Sequence, residues 1–195
     1  MTQPASSHVV VGNLGIESGK LGMWLFLASE VMFFAGLLSA YIILRAAHPA
    51  WPGSDGHLSV PIGTANTLIL LCSSMTMALA VGAAAEQDLR RLRLFLVATM
   101  VLGLVFLGVK LTEYQAKFQH GIGPHTNIFW SCYFVLTRLH GLHVLLGVLA
   151  NGWVLAHTRS SRFWASKSHL VELSGLYWHF VDIVWVFLFP LIYLI

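Results

Sequence analysis

Polar and apolar positions in this chain fall into blocks and not into the stripes of an amphipathic soluble helix. Five apolar runs predict an all-α integral membrane protein, a bundle of five transmembrane helices at about residues 21–44, 62–85, 92–112, 128–157 and 170–195. Roughly 20 apolar residues suffice to carry a helix across the hydrocarbon core of a bilayer, and each run reaches that length. The connections between them are of a different character. Arg45–Pro61 holds three prolines and two glycines and reads as a turn-rich loop. Glu86–Arg93 is short and charged, Glu113–Asn127 contains the breaker Gly121-Ile-Gly-Pro124, and Thr158–His169 is basic without an acid. Residues 1–19 have neither the basic start nor the short apolar stretch of a secretory signal, and read as an amino-terminal arm ahead of a single domain spanning 20–195.

Composition strengthens this reading. Of 195 residues, 57% are hydrophobic and 10% charged, against about 25% charged in an ordinary soluble domain. The excess of basic residues lies in short loops, so it reports topology and gives no ground for a nucleic-acid partner. The amino terminus and the second and fourth loops carry seven cations (Lys20, Arg90, Arg91, Arg93, Arg159, Arg162 and Lys167), whereas the first and third loops carry two, Arg45 and Lys117. Positive-inside bias then puts the amino terminus in the cytoplasm and the carboxyl terminus outside. The cysteines, Cys72 and Cys132, stand within apolar runs and read as small buried hydrophobes.

Candidate chemistry comes from polar residues stranded inside the spans, where an ionisable side chain is costly unless it faces protein. Glu30, Arg138, His140, His143, His179 and Asp182 come from three helices and reach similar depth, counted at about 1.5 Å per residue. They read as an interhelical polar network. Glu30 is either a neutral acid hydrogen-bonded across helices or a proton-accepting carboxyl in a cleft. His140 and His143, three apart, share a helix face, and with His179 and Glu30 they leave a metal or haem site as the less favoured alternative. Arg138 is expected to pair with Asp182 or with Glu30. Lys110 and Glu113 read as a snorkelling pair at the outer interface. Small residues at Ala35, Gly36 and Ser39 in the first helix, and at Gly141 and Gly147 in the fourth, permit close helix approach. Trp24, Trp130, Trp164, Tyr114 and Tyr193 fall near helix ends, where an aromatic belt is expected. Trp178 and Trp185 lie deeper and are expected to pack against other helices or lipid tails, or to contact another subunit. The chain has no phosphate-binding glycine loop, no Cys-x-x-Cys, no His-Glu-x-x-His and no internal repeat.

Three stretches carry a resemblance. Leu27-Ala-Ser-Glu-Val-Met-Phe-Phe-Ala-Gly36, Leu139-His-Gly-Leu-His-Val-Leu-Leu-Gly147 and Leu176-Tyr-Trp-His-Phe-Val-Asp-Ile-Val-Trp185 closely resemble the haem–copper oxidase subunit III family, as do Thr112-Glu-Tyr114 and Val60-Pro-Ile-Gly-Thr-Ala-Asn-Thr67. The likeness extends over residues 20–195. It implies a five-helix form without the first two helices of the seven-helix version, which are then either missing or supplied by a neighbouring subunit. It also implies a noncatalytic, lipid-binding subunit of a proton-pumping cytochrome c oxidase in a bacterial cytoplasmic membrane. Such a subunit binds subunit I directly, adjoins subunit II, holds phospholipid and supports proton uptake. Haem and copper would reside in the partner subunits, with no cofactor in this chain. Glu30 matches the family's carbodiimide-reactive carboxyl, and His140, His143, His179 and Asp182 match its internal polar residues. Arg138 departs from the family's usual glycine. A quinol-oxidase subunit or a nitric-oxide-reductase accessory protein stays open within the superfamily. A stand-alone proton transporter or haem-binding anchor stays open outside it.

Overall fold

A computed structural model describes residues 18–52, 58–158 and 169–194. The amino-terminal arm up to residue 17, the centre of the first loop and most of the fourth, with Arg159, Arg162, Trp164 and Lys167, lie outside the described residues. Five helices follow in order: α1 (Ser18–Ala47), α2 (Val60–Ala85), α3 (Leu89–Gln119), α4 (Ile128–His157) and α5 (His169–Phe189), the last continued by a π-helical turn, Pro190–Leu194. All five spans are long and apolar enough to cross a membrane, and no strand occurs among the described residues. The all-helical, five-span expectation therefore holds. Helices are the solution because in lipid every backbone N–H and C=O must find its partner within the protein.

The ends differ most at α3, expected to stop at residue 112 and observed to run to Gln119. Glu113, Gln115 and Lys117 are polar but are good helix formers, and no breaker comes before Gly121. There the chain turns with φ of 72° at Gly121. The N–H groups of Gly121 and Ile122 return to the Phe118 and Lys117 carbonyls at 3.0 Å each, a Schellman closure that needs the glycine. Lys117 thus belongs to the helix and not to the third loop. At the other end of α3 the turn is tight. Gln87 adopts φ of 60°, and the Asp88 carboxylate caps the helix by accepting from Arg90 N and Arg91 N at 3.0 and 3.1 Å, which satisfies two otherwise orphaned donors. So short a turn makes α2 and α3 antiparallel neighbours.

Trp178 of α5 pins this body together. It is 1% exposed and donates its indole N–H to Ser73 Oγ of α2 at 3.1 Å. Its ring lies where only glycine leaves room. A Cβ at Gly103 of α3 or at Gly147 of α4 would come within 2.7 and 2.8 Å of it. One residue of α5 therefore seats against α2, α3 and α4 at once. Trp185, two turns on, donates to Thr67 Oγ1 of α2 at 3.0 Å and is equally buried. Of the expectations for Trp178 and Trp185, packing against other helices holds and lipid or subunit contact is corrected. Both are core residues of this chain, since an indole N–H buried in apolar surroundings needs an acceptor and α2 provides the hydroxyls.

α1 stands apart from this body. Its buried side chains, Leu27, Phe34 and Tyr41, recur every seven residues as a narrow seam resting mainly on α5. Only 17% of its most apolar window is buried, against 56% for the α5 span. Trp24, Leu25, Val31, Met32 and Ile43 are all more than half exposed, so α1 offers a broad apolar face to lipid or to a neighbouring chain. Gly36 has open space where a Cβ would stand. Close approach therefore holds for Gly147 and not for Gly36. Cys72, expected to be buried, is exposed on α2.

Candidate functional site

The residues expected to form one network separate into distinct groups. Glu30, on the flank of the α1 seam, meets His143 of α4, with Glu30 Oε2 and His143 Nε2 3.1 Å apart. The side chains are 19% and 12% exposed, so the pair is partly covered and still reachable. His143 is held on both sides: Nδ1 lies 2.8 Å from its own helix's Leu139 carbonyl, and Phe34 of α1 sets an edge against the ring at 5.0 Å between centroids. A carbonyl can only accept, so Nδ1 carries the donated proton and Nε2 faces the acid. Such an arrangement suits a carboxyl that exchanges a proton with imidazole.

His140, three residues earlier, points elsewhere. It is fully buried between Phe106 of α3 and Trp185 of α5, at ring separations of 5.7 and 5.1 Å. Three residues displace side chains by about 60° around a helix of 3.6 residues per turn, enough here to put one imidazole toward α1 and the other into the core. His179 of α5 pairs through Nδ1 with Ser74 Oγ of α2 at 2.7 Å. Asp182, one turn on, is buried with neither carboxylate oxygen hydrogen-bonded among the described residues. The three imidazoles thus face three different neighbours. Among the described residues no group of three His, Cys, Asp or Glu is placed to hold one metal ion.

Arg138 joins none of these groups. The expected pairing with Asp182 or Glu30 is corrected: the side chain is exposed, and its guanidinium lies over the ring of Phe134 at 5.0 Å, with Phe118 and Tyr114 at 5.9 and 6.0 Å. Depth counted along a helix does not report azimuth, and Arg138 lies on the side of α4 turned away from α1 and α5.

The Lys110 and Glu113 pair also differs from expectation. Instead of snorkelling, both are about 5% exposed, and Lys117 joins them one turn on. Glu113 Oε2 accepts from Lys110 Nζ and Oε1 from Lys117 Nζ, each at 3.0 Å. Tyr193 donates to the same carboxylate at 2.8 and 3.0 Å and Tyr133 at 3.0 Å, while Lys110 also contacts the Tyr193 hydroxyl. The two ammonium groups lie near the rings of Trp185 and Trp130, at 4.7 and 5.4 Å from their centroids, as cation–π stabilisation requires. A carboxylate with this many donors lets three charges stay buried together. Lys117, Tyr133 and Tyr193 were not foreseen as members. The readable signal was the spacing of Lys110, Glu113 and Lys117 on one helical face, with no breaker among them. Trp130 and Tyr193, expected in an interfacial belt, are buried here, whereas Trp24 is exposed as a belt residue would be.

Between α1 and α5 runs an apolar groove of about 510 Å³, lined by residues that include Trp24, Val31, Ala35, Phe180, Ile183 and Phe187. His179 is its polar member. The groove flanks the α1 seam on the side opposite Glu30. At one end the α1–α5 contact is closed by an exposed ion pair, Lys20 to Glu172 at 2.8 Å. At the other, Trp51 packs between Tyr41 and Phe129.

Five apolar spans and a partly accessible acid–imidazole pair within them define a multi-pass helical membrane protein with polar groups built into its interior. The family model for cytochrome c oxidase subunit III matches residues 5–195. The chain is 38% identical over 176 residues to cytochrome c oxidase subunit 3 of Thermostichus vulcanus, covering 90% of this chain and 86% of that one. It is 40% identical over 194 residues to the subunit 3 of Synechocystis, covering 98% and 81%, and 36% identical over 179 residues to that of Corynebacterium diphtheriae, covering 90% and 87%. The chain belongs to the cytochrome c oxidase subunit III family, and so to the subunits of a respiratory terminal oxidase complex.

Proposed function

We propose that this chain is the noncatalytic subunit III of a proton-pumping cytochrome c oxidase in a bacterial cytoplasmic membrane, that it stabilises subunit I, and that it holds phospholipid in the groove between α1 and α5. In this reading haem and copper belong to the partner subunits, and the amino terminus lies in the cytoplasm, as the loop charges indicate. The observation that carries it is the Glu30–His143 contact. An acid in the middle of an otherwise lipid-facing helix is held at 3.1 Å by an imidazole and stays partly accessible. Intramembrane carboxyl groups are rare and tend to serve proton traffic. Here Glu30 and His143 form a two-member relay that passes a proton from one side chain to the other and supports uptake by the neighbouring catalytic subunit. The groove needs only an acyl chain, because its walls are hydrocarbon apart from His179.

The test is copurification followed by turnover. A tagged chain should bring down subunits I and II, with haem absorbance following subunit I. In that complex Glu30→Gln should leave assembly intact while shortening the time for which oxygen reduction is sustained and slowing proton uptake. Wild-type activity, pumping and inactivation rate in that variant would reduce Glu30 to a structural hydrogen bond. Proton flux through the chain reconstituted alone would favour a transporter instead.

A further inference from the structure

We propose that Arg138 and the apolar groove between α3 and α4 form a site for one glycerophospholipid, separate from the α1–α5 groove, with the phosphate on the guanidinium and an acyl chain laid in the groove. The charge makes the first demand. Arg138 is exposed on a membrane-spanning helix, and among the described residues no carboxylate is within ion-pair distance of it. Its surroundings are aromatic rings, and the Thr137 hydroxyl beside it already donates to the Tyr133 carbonyl at 2.6 Å. A guanidinium carries five N–H donors and no acceptor, so it calls for an anion that the chain does not provide.

Position says where that anion sits. Helical side chains lean toward the helix amino terminus, and the rings beneath the guanidinium, Phe134, Phe118 and Tyr114, all lie toward the α3–α4 turn. The side chain therefore snorkels toward the membrane surface on that side. α4 runs for 30 residues, about 45 Å, and so overhangs a hydrocarbon core of about 30 Å. With the excess shared between the two ends, Arg138, about 15 Å below the start of the helix, lies about 7–8 Å inside the hydrocarbon edge. Its extended side chain brings the guanidinium to that edge, where a lipid phosphate meets it.

The groove beneath supplies the second half. It holds about 550 Å³ and runs from Arg138 and Tyr114 past Leu107 and Leu142 to Leu104 and Leu145, away from the surface, as an acyl chain would run from its phosphate. Glycines keep it open. A Cβ at Gly108 would meet nothing within 4 Å, and at Gly141 the nearest atom would be Leu107 Cδ2 at 3.8 Å. Guanidinium and phosphate make paired, charge-assisted hydrogen bonds, so a phospholipid satisfies both features at once.

The test is native mass spectrometry of the purified, delipidated oxidase complex containing the full chain, titrated with dioleoyl phosphatidylglycerol. Wild type should take up one lipid saturably beyond the annular background. Arg138→Ala should weaken that uptake about tenfold or more, the scale of one lost charged hydrogen bond. Gly108→Phe, which fills the groove and leaves Arg138 in place, should weaken it comparably. Both positions are exposed, so both variants should unfold at the wild-type temperature. Uptake unchanged in both variants, uptake that never saturates, or a carboxylate of another subunit cross-linked at Arg138 would each overturn the site. If the chain does not copurify with an oxidase, the proposed function fails, and the same titration on the full chain alone still decides the lipid site.

Discussion

α1 and the body formed by α2 to α5 are similarly apolar in sequence, yet they are held in different ways. The body is interlocked. Trp178 fills space that Gly103 and Gly147 leave open, Trp185 is hydrogen-bonded to Thr67, and the Glu113 carboxylate gathers two lysines and two tyrosines. α1 has a seam of one residue in seven, one partly covered acid–imidazole contact and ties at its ends. Lipid tails are as apolar as leucine, so burying one more leucine gives little drive to associate helices in a membrane. Close packing and polar contacts carry that task. α1, with few of either, leaves a broad face and a groove uncovered.

The largest effect that would sharpen this contrast is at Glu113. Glu113→Gln removes the charge that two buried ammonium groups share and should cost about 3–5 kcal/mol, read as loss of folded chain or a large fall in unfolding temperature in detergent. An unchanged unfolding temperature would show that the body is not held there. Next come two identical substitutions expected to differ in sign. Gly147→Ala sets a Cβ 2.8 Å from Trp178 and should destabilise by about 1–3 kcal/mol. Gly36→Ala meets open space and should be neutral or stabilising by up to about 1 kcal/mol through helix propensity. Equal shifts in unfolding temperature would erase the difference between body and α1. The smallest stability effect is expected at Glu30. Glu30→Gln keeps a group that can bond His143 and should change stability by less than about 1 kcal/mol, with its consequence appearing in sustained turnover. A stability loss as large as that of Glu113→Gln would mean that α1 is locked on in the same way.

Three acids of the spans, Glu30, Glu113 and Asp182, show how far a linear reading reaches. Residue counting gives the approximate depth of Glu30 and Asp182 and the prospect that each faces protein, but it leaves Glu113 at the outer interface. It does not give their partners. Glu30 meets His143, Glu113 meets a lysine one turn on, past the expected end of its helix, and Asp182 is not hydrogen-bonded among the described residues. Arg138, matched on depth to two acids, turns to aromatic rings instead. By spacing alone, residues three apart share a helix surface, yet His140 and His143 diverge because each follows whichever helix lies beside it.

What the residue order alone determined is the set of five spans and their family. Runs of apolar residues must become helices in a medium that cannot hydrogen-bond the backbone, and the three motif stretches lie within those helices. What only the tertiary structure decided is azimuth: which face of each helix turns inward. A soluble helix records that choice in an apolar stripe, but here both faces are apolar, one for lipid and one for protein. The choice falls to glycines that admit Trp178, hydroxyls that receive indole N–H groups, and a carboxylate that gathers lysines. Those fits exist only once the helices are side by side.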